Sequence, residues 1–186
     1  MEHKAAKKFS AYRTGEYALT RGEYEKVLQV AGTIEDRVMV MLAVSLGLRR
    51  GDLVRIKVSD VDLKNSMISY HEKKKGDRVR NIPIGPRMAL ELKILMQTLP
   101  GDQEALFTIK DRQAYNRWVR LCDLAGIPRR PFHSLRATAI KFAQARGWTP
   151  EQVAELTGDT IKVIQEHYAT PSRAEMSELV KVKETI

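Results

Sequence analysis

Apolar residues recur every three to four positions through most of the chain, which is the spacing of amphipathic α-helices. The first such segment begins after Thr20, which stands with Glu23 at the spacing of a capping box. The next begins after Thr33 and ends at Gly47. From Val38 to Leu46 this second segment is apolar nearly all round, which predicts a central, buried helix.

The pattern changes between Lys57 and Ile84, where β-branched and aromatic residues gather in two short runs. The runs SMISYHE and RVRNIPI flank the polar segment KKKGD, so they predict a β-hairpin with Gly76 in its turn. A third strand could come from the preceding segment, VSDVDL.

Helical spacing resumes after the hairpin. Pro86 is placed to begin one helix, and Gly126 ends the next. In the last third, helices are predicted to begin near Ser134, after the N-cap Thr149, and at Asp159 as a further N-cap. Because the chain has no internal repeat or long linker, the pattern predicts one mainly helical α+β domain.

Composition adds a basic surface to this picture. The 186 residues are 43% hydrophobic, which supports a sizeable core, and the formal net charge is +9. Lysines and arginines are scattered among acids, so a folded basic surface is expected, with nucleic acid as a partner before membrane lipid. The single cysteine, Cys122, excludes a disulfide within the chain and is predicted to be a buried helical thiol. No apolar run approaches the ~18 residues of a membrane span, so we expect a protein of the reducing cytosol.

Several familiar kinds of site are absent from the sequence. It has no phosphate-binding G-x-x-x-x-G-K-[ST] loop and no G-x-S-x-G nucleophile elbow, and its four histidines and one cysteine form no metal-ligand spacing. Any catalysis must therefore come from Arg, Lys, His and Tyr. These side chains suit work on a phosphate without a metal, and no cofactor is expected.

Four short motifs carry such side chains. His133 and Arg136 lie three residues apart at a predicted helix start, so they share one face. Arg49 follows the buried helix in SLGLRRGDL, lysines occupy the hairpin tip, and Tyr168 ends a short helix. Each has a structural alternative when taken singly. Arg49 would be a solvated linker residue, the lysines a solvated turn, His133 a partner of backbone groups, and Tyr168 a packing residue.

Taken together and in this order, the motifs resemble the catalytic domain of the tyrosine recombinases, or phage-type integrases. The similarity runs from about Leu19 to Pro171. It rests on GLRRGDL, on KGDRVRNIPI, on HSLR, and on a tyrosine 32 residues after the HSLR arginine. The residues that match the family pattern are Arg49, Asp52, Lys75, His133, Arg136 and Tyr168.

The resemblance implies a fold and a reaction. The fold would be a helical catalytic core with a small antiparallel three-stranded sheet. The reaction would be site-specific cutting and rejoining of DNA through a 3′-phosphotyrosyl intermediate, without metal or ATP. Tyr168 would be the nucleophile, Arg49 and Arg136 a clamp on the phosphate, and Lys75 the acid for the leaving oxygen. His133 would hydrogen-bond the phosphate or help deprotonate the tyrosine.

The resemblance also implies an organisation and partners. Residues 1–18 would be a basic N-terminal segment, 19–171 the catalytic domain, and 172–186 a tail helix exchanged between protomers. Double-stranded DNA would be the partner, with a monomer in the free state and a homotetramer on paired sites at the nucleoid. The biological setting would be a virus, another mobile element or a chromosome. Family members carry a separate N-terminal DNA-clamping domain, so either an excised catalytic domain or a minimal recombinase is expected.

One position departs from the family pattern. Nine residues before Tyr168 the family has His or Trp, and this chain has Asp159. A carboxylate repels a phosphate unless it is protonated, so we interpret Asp159 as a helix N-cap and expect either slow activity or another donor. This departure keeps two alternatives open: a type IB topoisomerase-like enzyme, and a DNA-binding module that no longer cuts.

Overall fold

The computed structural model describes residues 14–168. Its helices are α1 (Arg21–Val30), α2 (Ile34–Leu46), α3 (Arg50–Leu53), α4 (Pro86–Thr98), α5 (Asp111–Leu124), α6 (His133–Ala145), α7 (Pro150–Thr157) and α8 (Ile161–Tyr168). Its strands are β1 (Val61–Asp62), β2 (Met67–Glu72) and β3 (Arg78–Pro83). Short 3-10 turns cover Thr14–Tyr17, Val58–Asp60 and Lys73–Lys75. The tail helix predicted from 172 to 186 and most of the basic segment predicted over 1–18 lie outside the described residues.

Helices α1, α2 and α7 begin where local capping signals predict. Thr20 and Glu23 form a reciprocal capping box at the start of α1, with bonds of 3.2 and 2.8 Å. Thr33 caps α2 by accepting from a backbone amide at 3.1 Å, and Gly47 ends that helix in the left-handed region, at φ 62°. Thr149 starts α7 with a second capping box.

The sheet is antiparallel in the order β1-β2-β3. Strands β2 and β3 pair from Met67 with Pro83 to Glu72 with Arg78, and Gly76 turns the hairpin at φ 69°. The third strand predicted in VSDVDL is present but only two residues long, because its first residues form a 3-10 turn. The α+β fold with a small three-stranded sheet is therefore confirmed for residues 14–168.

The core is built around α2. Val38, Met39, Val40 and Leu42 are completely buried, as the nearly continuous apolar run predicted. α2 packs against α4 on one side and α6 on another. A smaller apolar cluster joins α6, α7 and α8 and includes Tyr168. The first two turns of α6 join the two clusters, because Leu135 belongs to the larger one and Ala137 to the smaller one.

Cys122 is buried within α5, as predicted, and burial raises the pKa of its thiol. Within residues 14–168, no helix combines the length and the apolar character that crossing a membrane requires.

Candidate active site

Arg136 projects from α6 and is almost fully buried, with 2% of its side chain exposed. Its Nη1 donates to the carbonyl oxygen of Gly47, where α2 ends. Its Nε donates to Asp159 Oδ2 at 3.1 Å, and its Nη2 lies 2.7 Å from Asp159 Oδ1 without the alignment of a hydrogen bond. The carbonyl of Gly47 therefore positions the guanidinium of Arg136, which also pairs with the carboxylate of Asp159.

Arg49 reaches the same carboxylate from the other side. It is the N-cap residue of α3, two positions after the left-handed glycine that ends α2. Its Nη2 donates to Asp159 Oδ1 at 3.2 Å, and its Nη1 donates to Glu72 Oε1 at 3.0 Å. The structure therefore brings together the two arginines that the sequence motifs place 87 residues apart.

The interpretation of Asp159 as a helix N-cap is wrong. Thr160 takes that position: its Oγ1 accepts from the amide of Val163 at 3.2 Å, and its carbonyl accepts from the amide of Ile164 at 3.0 Å. Asp159 precedes the cap and turns its carboxylate towards two guanidiniums. Asp is on average the better N-cap, so the pairing of Asp159 with buried positive charge outweighs local preference and leaves the cap to Thr160.

Tyr168 closes the site from the end of α8. It is 3% exposed, and its hydroxyl lies 3.3 Å from His133 Nε2. Burial, reinforced by the negative charge of Asp159, raises the pKa of Tyr168 to about 12, although Arg136 and Arg49 act in the opposite direction. The phenol is therefore protonated at neutral pH, and it needs a base in order to attack an electrophile.

His133 is the first residue of α6 and stands beside that phenol. Part of its surface is exposed, but the protein atoms packed around it lower its pKa, and the guanidinium of Arg136 lowers it further. The ring is therefore neutral at pH 7, since even an unperturbed histidine titrates near 6.5. A neutral imidazole with an unprotonated Nε2 can accept the proton of the Tyr168 hydroxyl.

Lys75 comes to the site on the tip of the hairpin. Its Nζ donates to the carbonyl oxygen of Gly158, the residue before Asp159. Lys75 and its neighbours Lys73 and Lys74 are all exposed on the same 3-10 turn. The hairpin therefore places an ammonium group beside the loop that joins α7 to α8.

Asp52, the acid of the GLRRGDL motif, is 4% exposed and holds elements together. Its Oδ1 accepts from Arg55 Nη2 at 3.1 Å and from the amide of Lys73 at 3.2 Å, and its Oδ2 lies 3.9 Å from Arg49 Nη1. It ties α3 to the base of the hairpin turn.

Two charged residues of the hairpin were missed by sequence reasoning. Glu72, at the end of β2, is completely buried and accepts from Arg49. Arg80, on β3, is 4% exposed, and its Nη2 donates to the carbonyl oxygen of Glu155 in α7. A signal for Glu72 does exist in the sequence, because alternation along β2 puts it on the same face as Ile68 and Tyr70, which are buried.

The charges of the site are close to balance. Three carboxylates, those of Asp52, Glu72 and Asp159, lie within 4 Å of the Arg49 guanidinium, and the last also pairs with Arg136. Paired carboxylates therefore occupy the two guanidiniums in this state. A phosphate can bind to both arginines only if it displaces the carboxylate of Asp159.

Solved structures of other proteins share this fold. The crystal structure of XerA recombinase superposes with a TM-score of 0.78 at 21% identity, over 89% of this chain and 64% of that chain. The pre-cleavage complex of the XerH site-specific recombinase bound to difH substrate superposes with a TM-score of 0.68 at 20% identity, over 90% of this chain and 54% of that chain. The fold of this chain is thus the fold seen in these recombinase structures.

The sequence comparison identifies the family. Residues 18–175 match the model of the phage integrase family, and the chain belongs to that family. The tyrosine recombinase XerA of Saccharolobus solfataricus is 30% identical over 148 residues, which are 76% of this chain and 47% of the relative. The chain spans about half the length of the first curated relatives it matches. The predicted resemblance is confirmed.

Proposed function

We propose that this chain breaks and rejoins DNA strands as a tyrosine-type site-specific recombinase, through a 3′-phosphotyrosyl intermediate. The observation that carries the proposal is the meeting of Tyr168 and His133, at 3.3 Å, beside a pair of arginines that share one carboxylate. These groups come from three separate parts of the chain. Their convergence supplies a nucleophile, a base and a binding site for an anion within one pocket.

The proposed cleavage begins with attack of the Tyr168 hydroxyl oxygen on the phosphorus. The new bond joins Oη to phosphorus while the bond from phosphorus to the 5′-oxygen breaks. His133 takes the phenolic proton, which the raised pKa of Tyr168 keeps in place at neutral pH. Lys75 gives a proton to the departing 5′-oxygen. Because the phosphotyrosyl bond replaces the phosphodiester, the reverse reaction can rejoin DNA without ATP or a metal.

Arg49 and Arg136 are assigned to the nonbridging oxygens. Charge accumulates on these oxygens as the pentacovalent state forms, and guanidinium groups can stabilise it through bidentate hydrogen bonds. In the free protein, Asp159 lies where these bonds would form. We propose that DNA binding moves this carboxylate out of the clamp before cleavage.

The proposal extends to partners and setting. Double-stranded DNA is the substrate we assign, supported by the net charge of +9 and by the named activities of the relatives. A homotetramer on two paired sites is the proposed working assembly, at the nucleoid in the cytoplasm. The recombination would act on the DNA of a mobile element, including a virus, or on a chromosome.

The decisive experiment traps the covalent intermediate. The protein is incubated with duplexes that carry a randomised centre and a nick close to it, so that a short fragment diffuses away after cleavage. We expect adducts that survive denaturation, and sequencing of their DNA then reports the target. Tyr168→Phe should bind DNA without forming adducts, while Tyr115→Phe, an exposed tyrosine on α5, should behave as wild type.

A second candidate function is a DNA-binding module without cleavage. The observation in its favour is the carboxylate of Asp159 between the two arginines, where the family has a hydrogen-bond donor. Retarded DNA bands without any adduct, for the wild type as well as for Tyr168→Phe, would support this function over the first. Adducts formed by Tyr168→Phe would instead show that another residue attacks.

A further inference from the structure

A completely buried carboxylate lies at the edge of the site without a role in the steps above. Glu72 has no exposed surface, and its Oε1 accepts from Arg49 Nη1 at 3.0 Å. Its Oε2 is buried and has no hydrogen-bond partner among residues 14–168. Burying a charge in this way is unfavourable, and an apolar residue of similar volume would pack with less desolvation. A purely structural explanation is therefore weak.

Glu72 also packs against the loop that carries Asp159. A Cβ atom added to Gly158 would overlap the Glu72 carboxylate, and the glycine is in the left-handed region at φ 72°, so a larger residue would disturb this contact. The same glycine accepts a hydrogen bond from Lys75 Nζ. Glu72 and Lys75, three positions apart in the hairpin, thus both contact Gly158.

We propose that Glu72 is a positioning residue for strand cleavage, an inference that rests on the proposed function. Through Oε1 it orients the guanidinium of Arg49, and through its contact with Gly158 it seats the hairpin so that Lys75 stays in the site. Pairing of Glu72 with Arg78 anchors it in the β-ladder, and the 3-10 turn that bears the lysine begins at the next residue. One carboxylate therefore links a phosphate-binding group to the proton donor.

The first test measures geometry and requires no cleavage. The full chain is acetylated briefly with an amine-reactive ester, and each lysine is quantified by peptide mass spectrometry. In Glu72→Ala, the hairpin should shift and Lys75 should lose its hydrogen bond to Gly158. We expect the labelling rate of Lys75 to rise about fivefold, the scale of losing one hydrogen bond. Lys73 and Lys74 lie on the same turn and are as exposed as Lys75, which alone of the three donates to Gly158, so they are internal references. Glu72→Gln keeps the shape and one acceptor oxygen, so its Lys75 should label as in the wild type. An unchanged labelling rate of Lys75 in Glu72→Ala would overturn the proposal.

The second test measures single-turnover cleavage at saturating protein, where a loss of folded protein lowers the amplitude but not the rate constant. Glu72→Ala should cleave a normal phosphodiester about tenfold to a hundredfold more slowly, the scale of a misplaced catalytic group. A substrate with a bridging 5′-phosphorothiolate should recover part of this loss, because a thiolate leaves without a proton. The DNA concentration for half-maximal rate should stay the same.

A matched control separates positioning from stability. Glu91 pairs with Arg37 at 2.9 Å between α4 and α2, and 12% of its side chain is exposed. Glu91→Ala removes a comparable ion pair and should leave both the cleavage rate and the labelling of Lys75 unchanged. If Glu72→Ala does not fold, Glu72→Asp replaces it, since it keeps the charge but shortens the side chain by one methylene.

The outcomes are distinguishable from failure of the proposed function. A wild-type rate for Glu72→Ala, or for Glu72→Asp where that variant is used, overturns the positioning role. An equal loss with the phosphodiester and the phosphorothiolate contradicts the link to Lys75. If the wild-type chain forms no adduct at all, the proposed function fails, and the labelling of Lys75 still decides whether Glu72 seats the hairpin.

Discussion

Removing the charge of Asp159 should weaken the fold and strengthen anion binding at the same time. Its carboxylate lies 3.2 Å from Arg49 Nη2, and 2.7 and 3.1 Å from the Nη2 and Nε of Arg136. Asp159→Asn keeps the size of the side chain and one acceptor oxygen, but it leaves two guanidiniums without this counterion.

The magnitude follows from burial. Only 12% of the Asp159 side chain and 2% of that of Arg136 are exposed, so solvent screens this pair weakly. Two unit charges about 4 Å apart attract by about 4 kcal/mol at an effective dielectric constant of about 20, before desolvation is subtracted. Breaking a buried pair by removing one partner costs about 3–5 kcal/mol, and the oxygen retained by Asn puts the expected loss near 3 kcal/mol. For a chain of this size, that loss lowers Tm by about 6–12 °C.

The effect on anion binding has the opposite sign. Without the carboxylate, both arginines can bond to an oxyanion, and sulfate is a simple probe that does not depend on the DNA target. We expect sulfate to raise the Tm of Asp159→Asn more than that of the wild type, because at a given concentration a ligand stabilises the folded state more when it binds more tightly. Duplex DNA should also bind more tightly, and cleavage per folded molecule should be faster. The same change should lower the pKa of Tyr168, since the charge of Asp159 raises it.

The assay is thermal unfolding followed by circular dichroism, with and without sulfate, together with DNA binding. Asp36→Asn is the matched control, because Asp36 pairs with Arg117 at 3.1 Å and is 16% exposed. It should lose stability without a change in the response to sulfate. A wild-type Tm and sulfate response in Asp159→Asn would refute the reasoning. If cleavage were abolished while folding and DNA binding survived, the carboxylate would have a catalytic task.

Three further predictions concern single groups. Lys75→Ala should slow cleavage of a phosphodiester but spare a bridging 5′-phosphorothiolate; equal losses on both would point to another acid. The pKa of His133 is lowered, so the ring is neutral at pH 7 and the cleavage rate should fall with a midpoint below pH 6.5 as the ring becomes protonated; a higher midpoint would argue against His133 as the base. Thr160→Ala should cost about 1 kcal/mol in chemical unfolding and Thr160→Ser almost nothing. An equal effect of both changes would mean that Thr160 does not cap α8.

The sequence alone determined the elements and their order, because the signals involved are local. A capping box such as that of Thr20 and Glu23 spans three residues, and a left-handed glycine such as Gly47 needs only its own backbone. Periodicity likewise predicted α2 as buried and the two main strands as a hairpin. The spacing of the motifs was enough to recognise the family, since it depends on residue types at fixed separations.

Tertiary structure alone decided what the charged side chains do. Asp159 looked like a helix cap because its neighbours in sequence permit that role, but in the fold its carboxylate pairs with Arg136 and with Arg49, which lies 110 residues away. Glu72 and Gly158, 86 residues apart, come into contact only when the hairpin packs against the loop before α8. The physical reason is that Asp and Thr can both cap a helix, and the local preference for Asp is worth little compared with a buried ion pair. A buried guanidinium, in contrast, requires a carboxylate, and the fold determines which one reaches it.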